Sequence, residues 1–244
     1  ASAPATAAST AATAPAGTAG AQTGDPTATV GAPTTGPDVP TPFVRPNVPV
    51  WRIPRLAEAP EIAGELDEWA GTPIDVVAVV FGAEHWTGPD DLSARAFAGW
   101  DDVALYLGVQ VADDVFSQPA SGTRLYLGDS LELQLDADLA ADADGDTYSA
   151  DDWQIGVSPG DFIDREPEAY AWRPPQADLS GLRLRSQRLD NGYIVEAALP
   201  WSAIAFSPDL ARSLGVAVNV SDNDDPRPAQ LSMISLSPAR SWSD

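Results

Sequence analysis

The sequence predicts an all-β fold, an antiparallel β-sandwich of jelly-roll-like kind, preceded by a disordered segment rich in Ala, Thr, Pro and Gly. Three observations carry this. From about residue 50 the chain breaks into short runs that alternate apolar and polar residues, the period of a strand with one buried face. Those runs are bounded by Gly, Pro, Asn and Asp, which favour turns. No segment sustains the 3.6-residue period of an amphipathic helix.

Taken in order, residues 1–50 hold one aromatic, Phe43, and three charges, Asp25, Asp38 and Arg45. Such a segment buries too little apolar surface to offset its ordering entropy. It reads as a linker or stalk with threonines open to O-glycosylation, or as a tail with no role. The folded domain is expected over 51–244. Its strand signals are "IDVVAVV" (74–80), "SARAFAGW" (93–100), "VALYLGVQV" (103–111), "DSLELQLD" (129–136), "DDWQIGVS" (151–158), "LRLRSQRL" (182–189), "YIVEAALP" (193–200), "LGVAVNVS" (214–221) and "LSMISLS" (231–237). "LDNGYIV" supplies Asn191-Gly192, a strong hairpin signal, and Asp101-Asp102 marks another tight turn. "PWSAI" (200–204) suits a single helical turn led by Pro200. Period-two parity assigns an inward set: Val77, Val79, Phe97, Leu105, Leu107, Leu131, Leu133, Leu135, Ile155, Ile194, Val195, Val216, Val218 and Ile234.

Composition narrows function. The net charge is -23 over 244 residues; all 13 basic residues are arginine, and 27 of the 36 acids are aspartate. So acidic a chain repels phosphate, which argues against nucleic acid and against anionic membranes. The absence of cysteine removes disulfides and thiolate metal sites, and suits an exported bacterial protein. No apolar run approaches a membrane span. The start "ASAPATAAST" has neither Met nor a basic n-region, so it reads as a mature end or a cut fragment. His85 is the single histidine and no G-x-S-x-G elbow is present, which leaves Ser-His-Asp chemistry without support.

The run "DADLAADADGDTYSADD" (136–152) holds seven aspartates and no base. Asp142, Asp144 and Asp146 have alternate spacing, and Asp136, Asp138, Asp151 and Asp152 flank them. Alternate carboxylates in a tight turn converge readily on a hard cation, and calcium takes six to eight oxygens. The loop does not match an EF-hand, because Thr147 and Trp153 stand where Gly and Glu are needed. A solvated acidic turn explains the same residues. Two further clusters, "ADD" (112–114) and "SDNDD" (221–225), end predicted strands, as caps or as ligands to the same or another ion.

Among eight tryptophans, Trp69, Trp100 and Trp201 sit at element boundaries and read as structural. Trp86, Trp153 and Trp172 are the candidates to stack against a sugar ring, with Gln154 and Arg173 as hydroxyl partners beside them.

The segments "IAGELDEWAG" (62–71), "WDDVALYLGVQVADD" (100–114), "GDSLELQLDAD" (128–138), "DDWQIGVSPG" (151–160), "GYIVEAALPWSAI" (192–204) and "LGVAVNVSDND" (214–224) occur in an order that resembles the family 9 carbohydrate-binding module. The resemblance covers about residues 55–244. It implies a β-sandwich with structural calcium and a carbohydrate partner, with no nucleic acid and no membrane insertion. It also implies a non-catalytic module of an exported or cell-surface glycan-processing protein, covalently linked to a catalytic domain, and a further Trp-Gly-containing strand beyond Asp244. The alternative is a structural or adhesion sandwich that has lost its sugar site.

Overall fold

A computed structural model describes residues 42–44, 49–69, 71–141, 147–209 and 212–238. The linker expected over 1–50 lies almost wholly outside these. Among the described residues, eleven strands form two antiparallel sheets. Sheet one has the order β1 (Ile74–Val76), β3 (Leu92–Trp100), β4 (Ala104–Asp113), β9 (Gly192–Pro200), β8 (Arg183–Leu189). Sheet two has the order β2 (Ala78–Phe81), β11 (Ser232–Ser235), β10 (Gly215–Asp222), β5 (Ser130–Asp136), β6 (Asp152–Ser158), β7 (Glu168–Arg173). Among the described residues no helix is long and apolar enough to cross a membrane.

Alternation builds the core. Leu131, Leu133 and Leu135 of β5, Trp153, Ile155 and Val157 of β6, and Val218 and Val220 of β10 point inward. They meet Leu105, Leu107 and Val109 of β4 and Tyr193, Val195 and Leu199 of β9. Three residues of the expected inward set fall elsewhere. Val77 is exposed, because "IDVVAVV" splits there and sends β1 and β2 to different sheets. Phe97 faces outward, because Ala94, Ala96 and Ala98 supply the inward side of β3. Ile194 is buried but alternates with the inward Tyr193 and Val195, so it lies on the opposite face of sheet one.

That opposite face carries a second, smaller core. Residues 51–69 cross it, with Leu56 N–H donating to the Trp100 carbonyl at 2.7 Å. Leu56 and Trp69 pack with Ile62, Ala104, Tyr106 and Ala198. Gly99 and Gly108 make room: a Cβ on Gly99 would stand 2.6 Å from Leu56, and one on Gly108 would stand 2.6 Å from Leu66. The boundary tryptophans are structural, as expected. Trp69 donates to Glu196, Trp100 to the Ile53 carbonyl and Trp201 to the Asp101 carbonyl. The β8–β9 turn is shifted by one residue from the expected Asn191-Gly192, since Leu189 pairs with Gly192 and leaves Asp190-Asn191 as the loop. "PWSAI" forms the expected single turn, a short 3-10 helix over Trp201–Ala203.

Candidate functional site

Two places on the sandwich gather chemistry. The first is the outer face of sheet two. On β5 Glu132, Gln134 and Asp136 alternate with the inward leucines, so parity alone turns them outward. Strand register then sets Asn219 of β10 opposite Glu132, and Gln154 of β6 opposite Gln134. The Glu132 carboxylate accepts from the Gln134 amide at 2.5 Å and from the Asn219 amide at 3.3 Å. Gln154 also hydrogen bonds to it. Burial pushes the Glu132 carboxyl above the usual glutamate range, although these amide donors pull it down. Glu132 and Gln134 are only 9% and 6% exposed, unusual for charged and amide side chains facing away from the core.

Aromatic groups flank this polar floor. β7 carries a bulge: Gln154 pairs with Arg173 and Ile155 with Ala171, leaving Trp172 as the extra residue. Trp172 lies over Gly156, where an added Cβ would stand 2.3 Å from Trp172 Cη2 and 2.7 Å from Leu125. Its indole N–H donates to the Thr123 carbonyl at 3.0 Å, anchoring it to a short 3-10 helix over Gly122–Leu127. Tyr126 and Tyr170 each approach its ring to a centroid distance of 6.0 Å. Elsewhere on the floor, the Arg173 guanidinium stacks 3.8 Å above the Tyr148 ring. The Tyr148 hydroxyl and Arg173 Nε are buried without a hydrogen-bond partner among the described residues. Burial, then the Glu132 charge, raises the Tyr148 phenol. A buried polar atom without a partner costs about 1–3 kcal/mol, which favours a ligand that supplies one.

Of the expected sugar contacts, the structure brings Gln154, Trp172 and Arg173 together here. Two others fall elsewhere. Trp153 is 8% exposed and packs in the inter-sheet core, because it shares the parity of Ile155 and Val157. Trp86 packs against the same core and donates its indole N–H to the Leu92 carbonyl at 2.9 Å, so its polar edge is already occupied. Sequence reasoning missed Glu132, Gln134, Asn219 and Tyr148. The available signal was the row of polar residues on the second face of central strands, which reads equally as a solvated face.

The second place is one end of the sandwich. Asp113 ends β4 opposite Leu92 of β3, and Asp222 ends β10 beside β5. The two clusters singled out in sequence, "ADD" and "SDNDD", therefore meet. Carboxylate oxygens of Asp113, Asp222 and Asp224 lie within 4.8 Å of one another, as do those of Asp91, Asp114 and Asp224. Buried oxygens of Asp113 and Asp222 and the Tyr193 hydroxyl have no hydrogen-bond partner among the described residues. Asp129 lies buried nearby, fixed by N–H groups of Ser117 and Asn223. Burial, with the charge of Asp224, pushes Asp222 up to about 7. Burial pushes Asp113 up to about 6, against the pull of the Val115 N–H and of Arg188. Asp129 is raised as well, by burial and then by Asp113. The donor set is all oxygen, crowded and short of positive charge, which fits a hard divalent cation.

The 136–152 run behaves differently. Asp142, Asp144 and Asp146 lie outside the described residues. Asp138 N–H donates to Asp136 and Asp151, and Ser149 donates to Asp151 and Asp152. These carboxylates hold the turn. Among the described residues no three of them converge on one point, and the convergent set is the one at the sandwich end.

The two antiparallel sheets packed around one core define a β-sandwich domain. The chain belongs to the carbohydrate family 9 binding domain-like family, whose model matches residues 62–244. It is 26% identical over 187 residues to exoglucanase XynX of Acetivibrio thermocellus, covering 76% of this chain and 15% of that protein. The chain thus spans a small part of that relative. Two solved structures of a family 9 carbohydrate binding module from Caldicellulosiruptor kristjanssonii share the fold. One is in complex with cellotriose and the other with glucose. Each matches at a TM-score of 0.58 and 22% identity, over 76% of this chain and 84% or 85% of the other.

Proposed function

We propose that this domain is a non-catalytic carbohydrate-binding module, and that a neutral sugar sits on the outer face of sheet two. The observation that carries this is the Glu132–Gln134–Gln154–Asn219 network beside Trp172. Amides and a carboxylate fixed by one another read hydroxyl groups, while an indole face packs against ring C–H groups. The net charge of -23 on the chain disfavours acidic sugars. Family membership and the two sugar complexes of the family 9 module support the reading.

In this reading calcium braces the sandwich end, held by Asp113, Asp222 and Asp224 with Asp91 and Asp114 adjoining. Bound there, the ion offsets the carboxylate charge that Arg188 alone leaves unbalanced, tying strand ends of both sheets. The domain serves as an accessory part of a larger exported or cell-surface protein of glycan breakdown. The match to one portion of an exoglucanase supports that role. Calorimetric titration of glucose and cello-oligosaccharides into the chain tests the sugar site. Saturable binding that Trp172→Ala removes is the expected result; no binding to any neutral glycan leaves a structural or adhesion role instead.

A further inference from the structure

Two open sheets leave four edge strands, and three of them are blunted. β1 and β2 are only three and four residues long, and β7 carries the bulge at Trp172. Short strands and bulges both discourage a further strand from pairing. β8 differs: its seven residues run in unbroken register with β9, and among the described residues no strand pairs on its other side. Its charge differs as well. Between Asp178 and Asp190 the chain has no acid and three arginines, Arg183, Arg185 and Arg188, although acids outnumber bases 36 to 13 overall. Arg188 serves the fold, since it stacks 4.8 Å above the Phe116 ring and donates to the Gly192 carbonyl. Arg183 and Arg185 are exposed on the outer face of sheet one, opposite Ala198 and Glu196. Arg185 donates to the Leu184 carbonyl, and neither arginine forms a salt bridge among the described residues. Glu196 is already occupied by Trp69 and by the N–H groups of Ala63, Gly64 and Glu65. Charge of either sign guards an edge against pairing. An edge charged only with arginine, in so acidic a chain, points to an anionic occupant rather than to protection alone.

We propose that the free edge of β8 takes an extended acidic segment of a partner protein as an added strand. Main-chain groups of the segment pair with the open edge, the usual source of affinity in strand addition. Arg183, Arg185 and Gln187 recur at every second residue, so acids at alternate positions of the segment meet the guanidinium groups on the outer face. A long polyanion is a poorer occupant, because the net charge of -23 repels it. A short segment senses mainly the charges within a Debye length of about 8–10 Å. The site is independent of the sugar floor, which lies on the other sheet.

The test follows backbone amide resonances of the whole chain while a short capped peptide of alternating Val and Asp is titrated in. Saturable shifts over residues 183–188, weakening as salt is raised, are the expected result. The same peptide with Lys in place of Asp should leave β8 unmoved. A fully N-methylated Asp peptide, which lacks main-chain donors, should lose most of the affinity. An Arg183→Thr, Arg185→Thr double variant should lose about tenfold in affinity and melt as wild type does. No saturable shift on β8, or equal binding by the double variant, overturns the proposal. Equal binding of the N-methylated peptide also overturns it, by reducing the contact to ion pairing. Heparin binding this edge in preference to the peptide overturns the peptide occupant. Self-association of the double variant in sedimentation, with wild type indifferent to the peptide, assigns the arginines to edge protection and overturns the proposal as well.

Discussion

Glu196, wholly buried on the outer face of β9, accepts the indole N–H of Trp69 at 2.6 Å across 127 residues of sequence. Its other oxygen accepts the backbone N–H groups of Ala63, Gly64 and Glu65. One carboxylate thus pins the 51–69 segment over sheet one. Two motifs distant in sequence, "IAGELDEWAG" and "GYIVEAALPWSAI", are halves of a single hydrogen-bonded unit.

Glu196→Ala should therefore cost about 3 kcal/mol, because four donors lose their acceptor and the second core opens. Glu196→Gln should cost less, since one oxygen can still take the three backbone donors while the amide faces Trp69. Urea unfolding of both variants checks the order; equal stability of Glu196→Ala and wild type would refute the role of the clamp.

Gly156→Ala tests how the indole is seated. The new methyl would stand 2.3 Å from Trp172, so the ring must lift. Overpacking of this kind costs about 1–3 kcal/mol, and sugar affinity should fall with the displaced ring. Tryptophan fluorescence and titration report the two effects separately.

Much of this was legible in the sequence, and for definite reasons. The leucines of "DSLELQLD" and the valines of "LGVAVNVS" alternate with polar residues, which assigns both the strands and their buried faces. β7 was not legible as a strand, because its inward side chains are only Ala169 and Ala171. The polar face of β5 looks the same whether it meets water or a ligand; only register sets Asn219 against Glu132. Trp153 was readable in hindsight, because it shares parity with Ile155 and Val157. The carboxylate cluster needed the fold, since Asp113 and Asp222 come from different sheets.

Sugar binding should depend on pH through Glu132. Burial raises its folded-state pKa above the ordinary 4.5. The ionised form is the one that accepts sugar hydroxyls, so affinity is full above the raised pKa and falls as pH drops through it. Stability runs the other way: the contribution of this group is fully present below the unfolded value and is lost as pH rises through the folded one. Glu132→Gln should flatten both profiles, measured by titration calorimetry and by melting across pH 4 to 8, a range that follows from the direction of the shift.

Calcium should raise the melting temperature. An ion at about a hundredfold its Kd adds about 2.7 kcal/mol, or about 5–10 °C for a domain of this size. Asp222→Asn should shrink that gain, yet in chelator it should match or exceed wild type, because it deletes a buried like charge. Identical melting in calcium and in chelator would contradict the assignment of the cluster.

The central claim, that the outer face of sheet two is a sugar site, is tested most directly by following backbone amide resonances during a cellotriose titration. Saturable shifts centred on Glu132, Gln134, Gln154, Trp172 and Asn219, and lost in Trp172→Ala, are the result this account predicts. Shifts centred elsewhere on the sandwich, or none at saturating sugar, would contradict it.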